Sequence, residues 1–310
     1  MTTWLNAPFR MQFRVIDGLT VRFAQSGLAQ SGLAQSGLAQ GDSRGQEHAL
    51  LLSPWPESLL AFEPVWSPLA EHAHLVAMDL PGFGRSQHRD TLLSPRAMSE
   101  FIIAAADAFG LDHPHLVAPG TGTPAALFAA ARHPGRLRSL VVGSGAATVP
   151  LLGSPLRDWI EAPDPEAFRL ADPRRLVTDA LASMKRSVTP EAVLEDYVAS
   201  YQGNRLAESM RYVRAYPADL PVLAHLLPQI RTPTRIIAGA YDTTVPLANA
   251  EFMAVRLPGS RLDILEAGHF TWEDAADEYA ALVTGWWSGT TGTPADVAGH
   301  AASYRRSCIT

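Results

Sequence analysis

The sequence predicts an α/β fold built on a mostly parallel sheet, and three observations carry that prediction. From residue 49 onward short apolar runs alternate with helical stretches, an Asp-Gly hairpin precedes them, and one long helical segment interrupts the alternation once. The hairpin is Phe13-Arg-Val-Ile-Asp-Gly-Leu-Thr-Val-Arg-Phe23, whose period-two pattern on either side of Asp17-Gly18 is a strong short-range signal for an antiparallel pair. Ala49–Leu52, Leu75–Met78, His115–Ala118, Leu140–Val142, Arg235–Ala238 and Leu262–Leu265 read as strands buried on both faces, because covered parallel strands are continuously apolar. Helices are expected over Ser58–Glu71, Pro95–Phe109, Thr123–Arg132, Leu247–Arg256 and Trp272–Trp287.

This pattern divides the chain. Residues 1–147 form the first part of a core and residues 231–288 the second. Between them, residues 148–230 have helical periodicity, several prolines and no convincing strand, and read as a helical cap. Ser-Gly-Leu-Ala-Gln occurs three times from Ser26 to Gln40, within a polar stretch over 25–47. A period that short fits no solenoid, so the stretch reads as a mobile loop. The tail over 289–310, rich in Gly, Thr, Ala and Ser, is expected to be flexible.

Composition narrows the partners. With 310 residues, 47% hydrophobic and 18% charged, the chain can bury a large core. A formal charge of −6 with scattered arginines disfavours nucleic acid, and no apolar run reaches the roughly 18 residues of a membrane span. A small apolar molecule in a cytoplasmic setting is the expectation, and oligomeric state is not legible. The only cysteine, Cys308, lies in the polar tail, which excludes an internal disulfide or a thiolate metal cluster. No metal or cofactor is expected.

In an open α/β sheet the ligand lies beyond the carboxyl ends of the strands. Four segments there draw attention: Ser53-Pro54-Trp55-Pro56-Glu57-Ser58, Pro119-Gly120-Thr121-Gly122-Thr123-Pro124, Gly239-Ala240-Tyr241-Asp242 with the following turn, and Glu266-Ala267-Gly268-His269-Phe270. With Asp79-Leu80-Pro81-Gly82-Phe83-Gly84-Arg85-Ser86, they make the chain resemble the α/β-hydrolase superfamily, in particular its epoxide hydrolase, haloalkane and haloacetate dehalogenase and esterase branch. The resemblance spans most of residues 13–288 and is weakest in the cap. It implies an eight-stranded, mostly parallel sheet with an antiparallel N-terminal hairpin and a helical cap.

The resemblance also assigns roles. The small-x-nucleophile-x-small turn falls on Ala118 to Gly122, so Gly120 occupies the nucleophile position and brings no side chain. Shifting the register to Thr121 would put Pro119 and Thr123 at the small positions, and Thr123 fits less well still. Asp242 and His269 follow in the family's chain order as a dyad, with Glu266 and Asp263 as rival acids. Trp55 and Thr121 stand where the oxyanion-hole N–H groups are expected, although Trp55 could equally only pack. Trp159, Tyr197, Tyr212 and Phe270 are the expected substrate contacts, with Phe168, Tyr201 and Tyr216 as further cap candidates to line the pocket. Arg211 and Arg214 read as carboxylate binders or solvated side chains, and the other nine histidines as surface or loop residues.

Glycine cannot form an ester intermediate. Three functions remain. The first is a non-covalent enzyme in which His269 with Asp242 acts as general base for cyclisation, elimination or water activation on a small apolar substrate, with natural-product biosynthesis as a setting. The second is a non-catalytic small-ligand binder. The third is a hydrolase of the epoxide hydrolase, dehalogenase or esterase type, with a relocated nucleophile or an exchanged residue 120.

Overall fold

A computed structural model describes residues 9–27, 47–163 and 165–289. Residues 28–46 of the repeat loop and 290–310 of the tail, where Cys308 lies, fall outside that description. One eight-stranded sheet runs in the order β1-β2-β4-β3-β5-β6-β7-β8. Its strands are β1 (Met11–Ile16), β2 (Leu19–Gln25), β3 (His48–Leu52), β4 (His74–Met78), β5 (His115–Pro119), β6 (Ser139–Gly143), β7 (Thr234–Gly239) and β8 (Arg261–Leu265). The first two form the antiparallel hairpin. Its two-residue turn takes positive φ at both Asp17 (48°) and Gly18 (73°), which suits the right-handed twist of the flanking strands. β2 pairs antiparallel with β4, and every later pairing is parallel.

Every residue of β5, β6 and β7 is buried, as their continuous apolar runs require. β8 departs from that pattern. It is the sheet edge, it alternates Arg261 and Asp263 with apolar residues, and Ile264 is exposed.

Helices α1 (Glu63–Ala70), α2 (Pro95–Ala108) and α3 (Gly122–Arg132) connect the strands up to β6. α2 starts on Ser94, whose side chain accepts from the Ala97 N–H, with proline at the first helical position. Between β6 and β7 lie α4 (Ser154–Glu161), α5 (Pro173–Leu181), α6 (Glu191–Ser200), α7 (Arg205–Arg214) and α8 (Tyr216–Leu226), with no strand among the described residues there. After β7 come α9 (Leu247–Arg256), α10 (Thr271–Asp274) and α11 (Ala276–Trp287). The single helix expected over 272–287 is thus two. The break is at Ala275 (φ −136°, ψ 51°), while the Asp274 carboxylate is committed to the N–H groups of Lys185, Arg186 and Gly268.

The cap is tied to the sheet by buried charge. Arg22 on β2 donates from Nε to Asp79 at 2.6 Å and from both terminal nitrogens to Asp196 on α6, at 2.8 and 2.9 Å. Asp196 also accepts from the Ser58 hydroxyl, and Asp79 from the Leu59 and Arg85 N–H groups. A carboxylate can stay charged in such a setting only while its cation and donors remain. Replacing Arg22 by methionine should therefore cost about 3–5 kcal/mol, since it strands the buried Asp79 carboxylate and leaves Asp196 with Arg85 as its one cation. Urea unfolding of the variant beside the unsubstituted protein measures this, and a midpoint that does not move would contradict it.

Candidate functional site

The turn between β5 and α3 is held from the side. Gly120 has φ +58° and its N–H donates to the Gly143 carbonyl at the end of β6, at 3.0 Å. Thr123 fastens the same two strand ends: its hydroxyl donates to the Ala118 carbonyl at 2.9 Å and accepts from the Gly143 N–H at 3.1 Å. That commitment explains why Thr123 offers no free hydroxyl. A Cβ built on Gly120 would meet Pro54 Cβ at 3.4 Å and the Trp272 ring at 3.9 Å. There is room for a side chain, so what favours glycine is the left-handed backbone rather than crowding.

Asp242 follows β7 and His269 follows β8, and because these strands are parallel neighbours the two residues emerge side by side. His269 Nδ1 lies 2.8 Å from Asp242 Oδ2. The other carboxylate oxygen accepts from the Thr244 and Val245 N–H groups at 2.9 and 2.8 Å. Three N–H partners thus define the carboxylate as an acceptor and leave Nε2 as the ring's free nitrogen. Among the described residues, no hydroxyl or carboxylate other than Asp242 hydrogen-bonds to the His269 ring. Neither rival acid reaches it: Asp263 pairs with Arg235 at 2.8 Å, and Glu266 accepts from Tyr241 on the surface.

Both Gly120 and His269 line a cavity of about 700 Å³ roofed by α4 and α5. Trp55, Thr121, Trp159 and Phe270 stand on its wall, together with Tyr216. The Trp55 ring packs edge-on against Trp159, and its Nε1 donates to the Ser209 hydroxyl at 2.9 Å.

Tyr216 lines the cavity, but the other cap tyrosines expected there lie elsewhere. Tyr197 is fully buried and donates to Glu273, and Tyr212 donates to the Thr121 carbonyl at 3.0 Å, bracing the turn from behind. Tyr201 donates to the Glu57 carbonyl at 2.8 Å, and Phe168 packs half-buried against the core. Helical spacing gives the buried stripe of a helix but not which neighbour it meets, so tyrosines that pin the cap look the same in sequence as tyrosines that would line a pocket. Arg211 pairs with Asp90 on the surface, and Arg214 donates to carbonyls that end α4, so neither faces the cavity. One histidine also departs from the expectation: His115 is buried, stacks on Trp287 and meets the Ser139 hydroxyl at 2.7 Å, and burial pushes its pKa down to about 4.

Sequence reasoning passed over Glu57 and Glu273. They form a buried carboxyl pair directly behind Trp272, whose Nε1 donates to Glu57 at 3.4 Å. Burial raises Glu57 well above the ordinary carboxyl range, and the Glu273 charge raises it further. Burial raises Glu273 too, offset by hydrogen bonds from Tyr197, Glu57 and Thr189. The signal was present in Trp55-Pro-Glu57 and His269-Phe-Thr-Trp-Glu273, acids placed within a few residues of segments already singled out.

The comparisons with known proteins agree with this architecture. A model of the alpha/beta hydrolase fold matches residues 50–276, and the chain belongs to that family. RutD of Caulobacter sp. (strain K31), named as a proposed carbamate hydrolase, is 29% identical over 72% of this chain and 85% of its own. The 2-hydroxymuconate semialdehyde hydrolase of Pseudomonas putida is 28% identical over 67% of this chain and 75% of its own. Among solved structures, haloalkane dehalogenase DbeA from Bradyrhizobium elkani USDA94 superposes with a TM-score of 0.73 at 20% identity, covering 91% of this chain and 98% of its own, a likeness of fold. No helix among the described residues is long and apolar enough to cross a membrane, and none of their His, Cys, Asp and Glu side chains group as a metal site.

The carboxyl pair makes stability depend on pH. Glu57 has its folded pKa above the ordinary 4.5, and Glu63 is pushed up to about 7 by burial and by Glu273. For groups raised on folding, the unfolded chain releases its protons first. Their contribution to stability is therefore fullest below about 4.5 and is lost as pH rises through the folded values. The urea midpoint should fall between about pH 5 and about pH 8, and Glu57→Gln, which mimics the protonated acid, should flatten that fall. Equal slopes for the two proteins would contradict the assignment.

Proposed function

We propose that this protein hydrolyses a small carbonyl compound without an ester intermediate on the chain, using His269, oriented by Asp242, as general base toward water. The observation that carries this reading is the 2.8 Å His269–Asp242 hydrogen bond on a capped cavity whose strand–helix turn presents glycine. Gly120 stands at the nucleophile position of the family's turn and has nothing with which to attack. Two relatives carry names of hydrolases, one of a carbamate and one of a semialdehyde. Those names favour hydrolysis over cyclisation or elimination among the reactions a His–Asp pair can serve.

In this mechanism His269 Nε2 takes a proton from water as the water oxygen bonds to the carbonyl carbon, and the carbonyl π electrons move onto oxygen. The imidazolium that forms is stabilised by Asp242. The developing oxyanion lies toward the start of α3, where the Thr121 N–H and the helix dipole favour negative charge, with Trp55 supplying the other side of the hole. Collapse of the tetrahedral adduct breaks the bond to the leaving group, which departs with the proton held on His269. Trp159 and Phe270 provide apolar wall for the rest of the substrate.

A panel of small activated esters, carbamates and β-dicarbonyl compounds tests this. His269→Ala should lower kcat/KM by about 10²–10⁴, and Asp242→Asn by a comparable factor through loss of the correct tautomer. Incubation of the unsubstituted protein with a fluorophosphonate, followed by intact-mass measurement, should give no adduct, whereas Gly120→Ser should gain one. A His269→Ala variant that keeps full turnover, or a covalent adduct on the unsubstituted chain, would refute the mechanism.

A further inference from the structure

We propose that Thr121 and Ser144 are positioning residues that hold the attacking water beside Gly120, an inference that rests on the hydrolytic reading above. The two hydroxyl oxygens are buried and hydrogen-bond to no protein atom. Their residues are only 7% and 3% exposed, and both line the cavity shared by Gly120 and His269. A buried hydroxyl without a partner is costly and rare. Three of the described residues lining this cavity carry such a hydroxyl, Ser183 being the third, and the two that stand at the Gly120 turn point to a partner from outside the chain.

Topology brings them to the same turn. Pro119 of β5 is in register with Gly143 of β6, so Gly120 and Ser144 are the next residues off two neighbouring strands. The Gly120 N–H donates to the Gly143 carbonyl at 3.0 Å, and Thr121 follows Gly120 directly.

The backbone at Ser144 adds an independent argument. Its φ is +44°, in the left-handed region, where glycine would be the less strained residue. Its two neighbours are glycines under compulsion: a Cβ on Gly143 would lie 1.7 Å from the Ile237 carbonyl oxygen, and one on Gly145 2.3 Å from Thr123 Cβ. Within that Gly-Ser-Gly run, the serine keeps a buried hydroxyl beside the cavity at a conformational cost.

The hydrogen-bond count of a water molecule fits this set. One water proton points to His269 Nε2 and the other to one hydroxyl oxygen. One lone pair accepts from the second hydroxyl, and the remaining lone pair faces the carbonyl carbon. A buried water ordinarily makes two to four such bonds. The hydroxyls fix its direction of attack, which a histidine alone does not.

The test uses the full chain and the substrate panel above. Ser144→Gly, which relaxes the backbone, should fold with unchanged or raised thermal stability yet lose about tenfold in kcat with KM little changed. Thr121→Val should behave alike and Thr121→Ser should restore the rate. Because both hydroxyls hold one molecule, the double variant should lose less than the product of the single losses. Unchanged kcat in both single variants, or a loss confined to KM, overturns the proposal while His269→Ala still decides the hydrolytic reading separately. A high-resolution crystal structure of the free protein stands apart from activity altogether. An ordered water bonded to Thr121 Oγ1, Ser144 Oγ and His269 Nε2 supports the inference even if the panel finds no substrate, and hydroxyls bonded elsewhere refute it.

Discussion

The cation of Arg22 is the point at which hairpin, sheet and cap meet, and the rest of the molecule is arranged around keeping it paired. A guanidinium 2% exposed needs its charge met on the spot, and two carboxylates meet it, Asp79 from the loop after β4 and Asp196 from α6. Arg85 balances the second carboxylate from the surface side, at 2.9 Å from Asp196. The same helix then presents Tyr197 to Glu273, and Tyr201, the residue directly after it, donates to the Glu57 carbonyl. α6 and its capping residue therefore make three polar anchors into the core, and that fixes the attachment of the cap from which α4 and α5 close the cavity. Apolar packing alone would hold the cap less specifically, because apolar surfaces slide and charge-assisted hydrogen bonds do not.

Two acidic centres of opposite character stand close together in this arrangement. Asp242 receives hydrogen bonds from two backbone N–H groups and a histidine, whereas Glu57 has one carboxyl oxygen with no donor at all. The first environment uses a carboxylate as an acceptor and orienting group. The second, through burial, pushes a carboxyl well above its ordinary range. Trp272 separates them: its ring edge borders the space beside Gly120 and its Nε1 faces Glu57. The pair behind Trp272 has a structural part, joining the loop that carries Trp55 to the helix that follows His269.

Much of the fold was legible because its signals are local. Continuous apolar runs mark strands buried on both faces, and Asp17-Gly18 carries the turn conformation in its own residue preferences. The neighbourhood of His269 and Asp242 was legible for a topological reason, since consecutive parallel strands deliver the residues after them to the same edge. What was not legible depended on partners far apart in sequence. Tyr212 bracing the Thr121 carbonyl joins residues 91 apart, and Glu57 and the Trp272 indole are 215 apart. His115 shows the same limit, because a histidine at the start of a strand looks exposed until Trp287 from the last helix covers it. Ser144 went unread because its importance lies in backbone conformation and in having no protein partner, neither of which residue type reveals.

Gly120 sets the chemical reach of the proposed mechanism. At φ +58° glycine holds the turn without the strain that another residue would carry there, and in the proposed mechanism that turn serves no covalent route. General-base assistance contributes about 10²–10⁴ and an oxyanion donor about 10²–10³. Their product falls toward the low end of enzymatic accelerations, which begin near 10⁶. Unless positioning of the water adds a further large factor, such a site can turn over only substrates whose uncatalysed barrier is already modest. Activated esters, carbamates with good leaving groups and dicarbonyl compounds meet that condition, and unactivated amides do not. In that mechanism the glycine selects substrates by intrinsic reactivity, while the cavity wall selects them by shape.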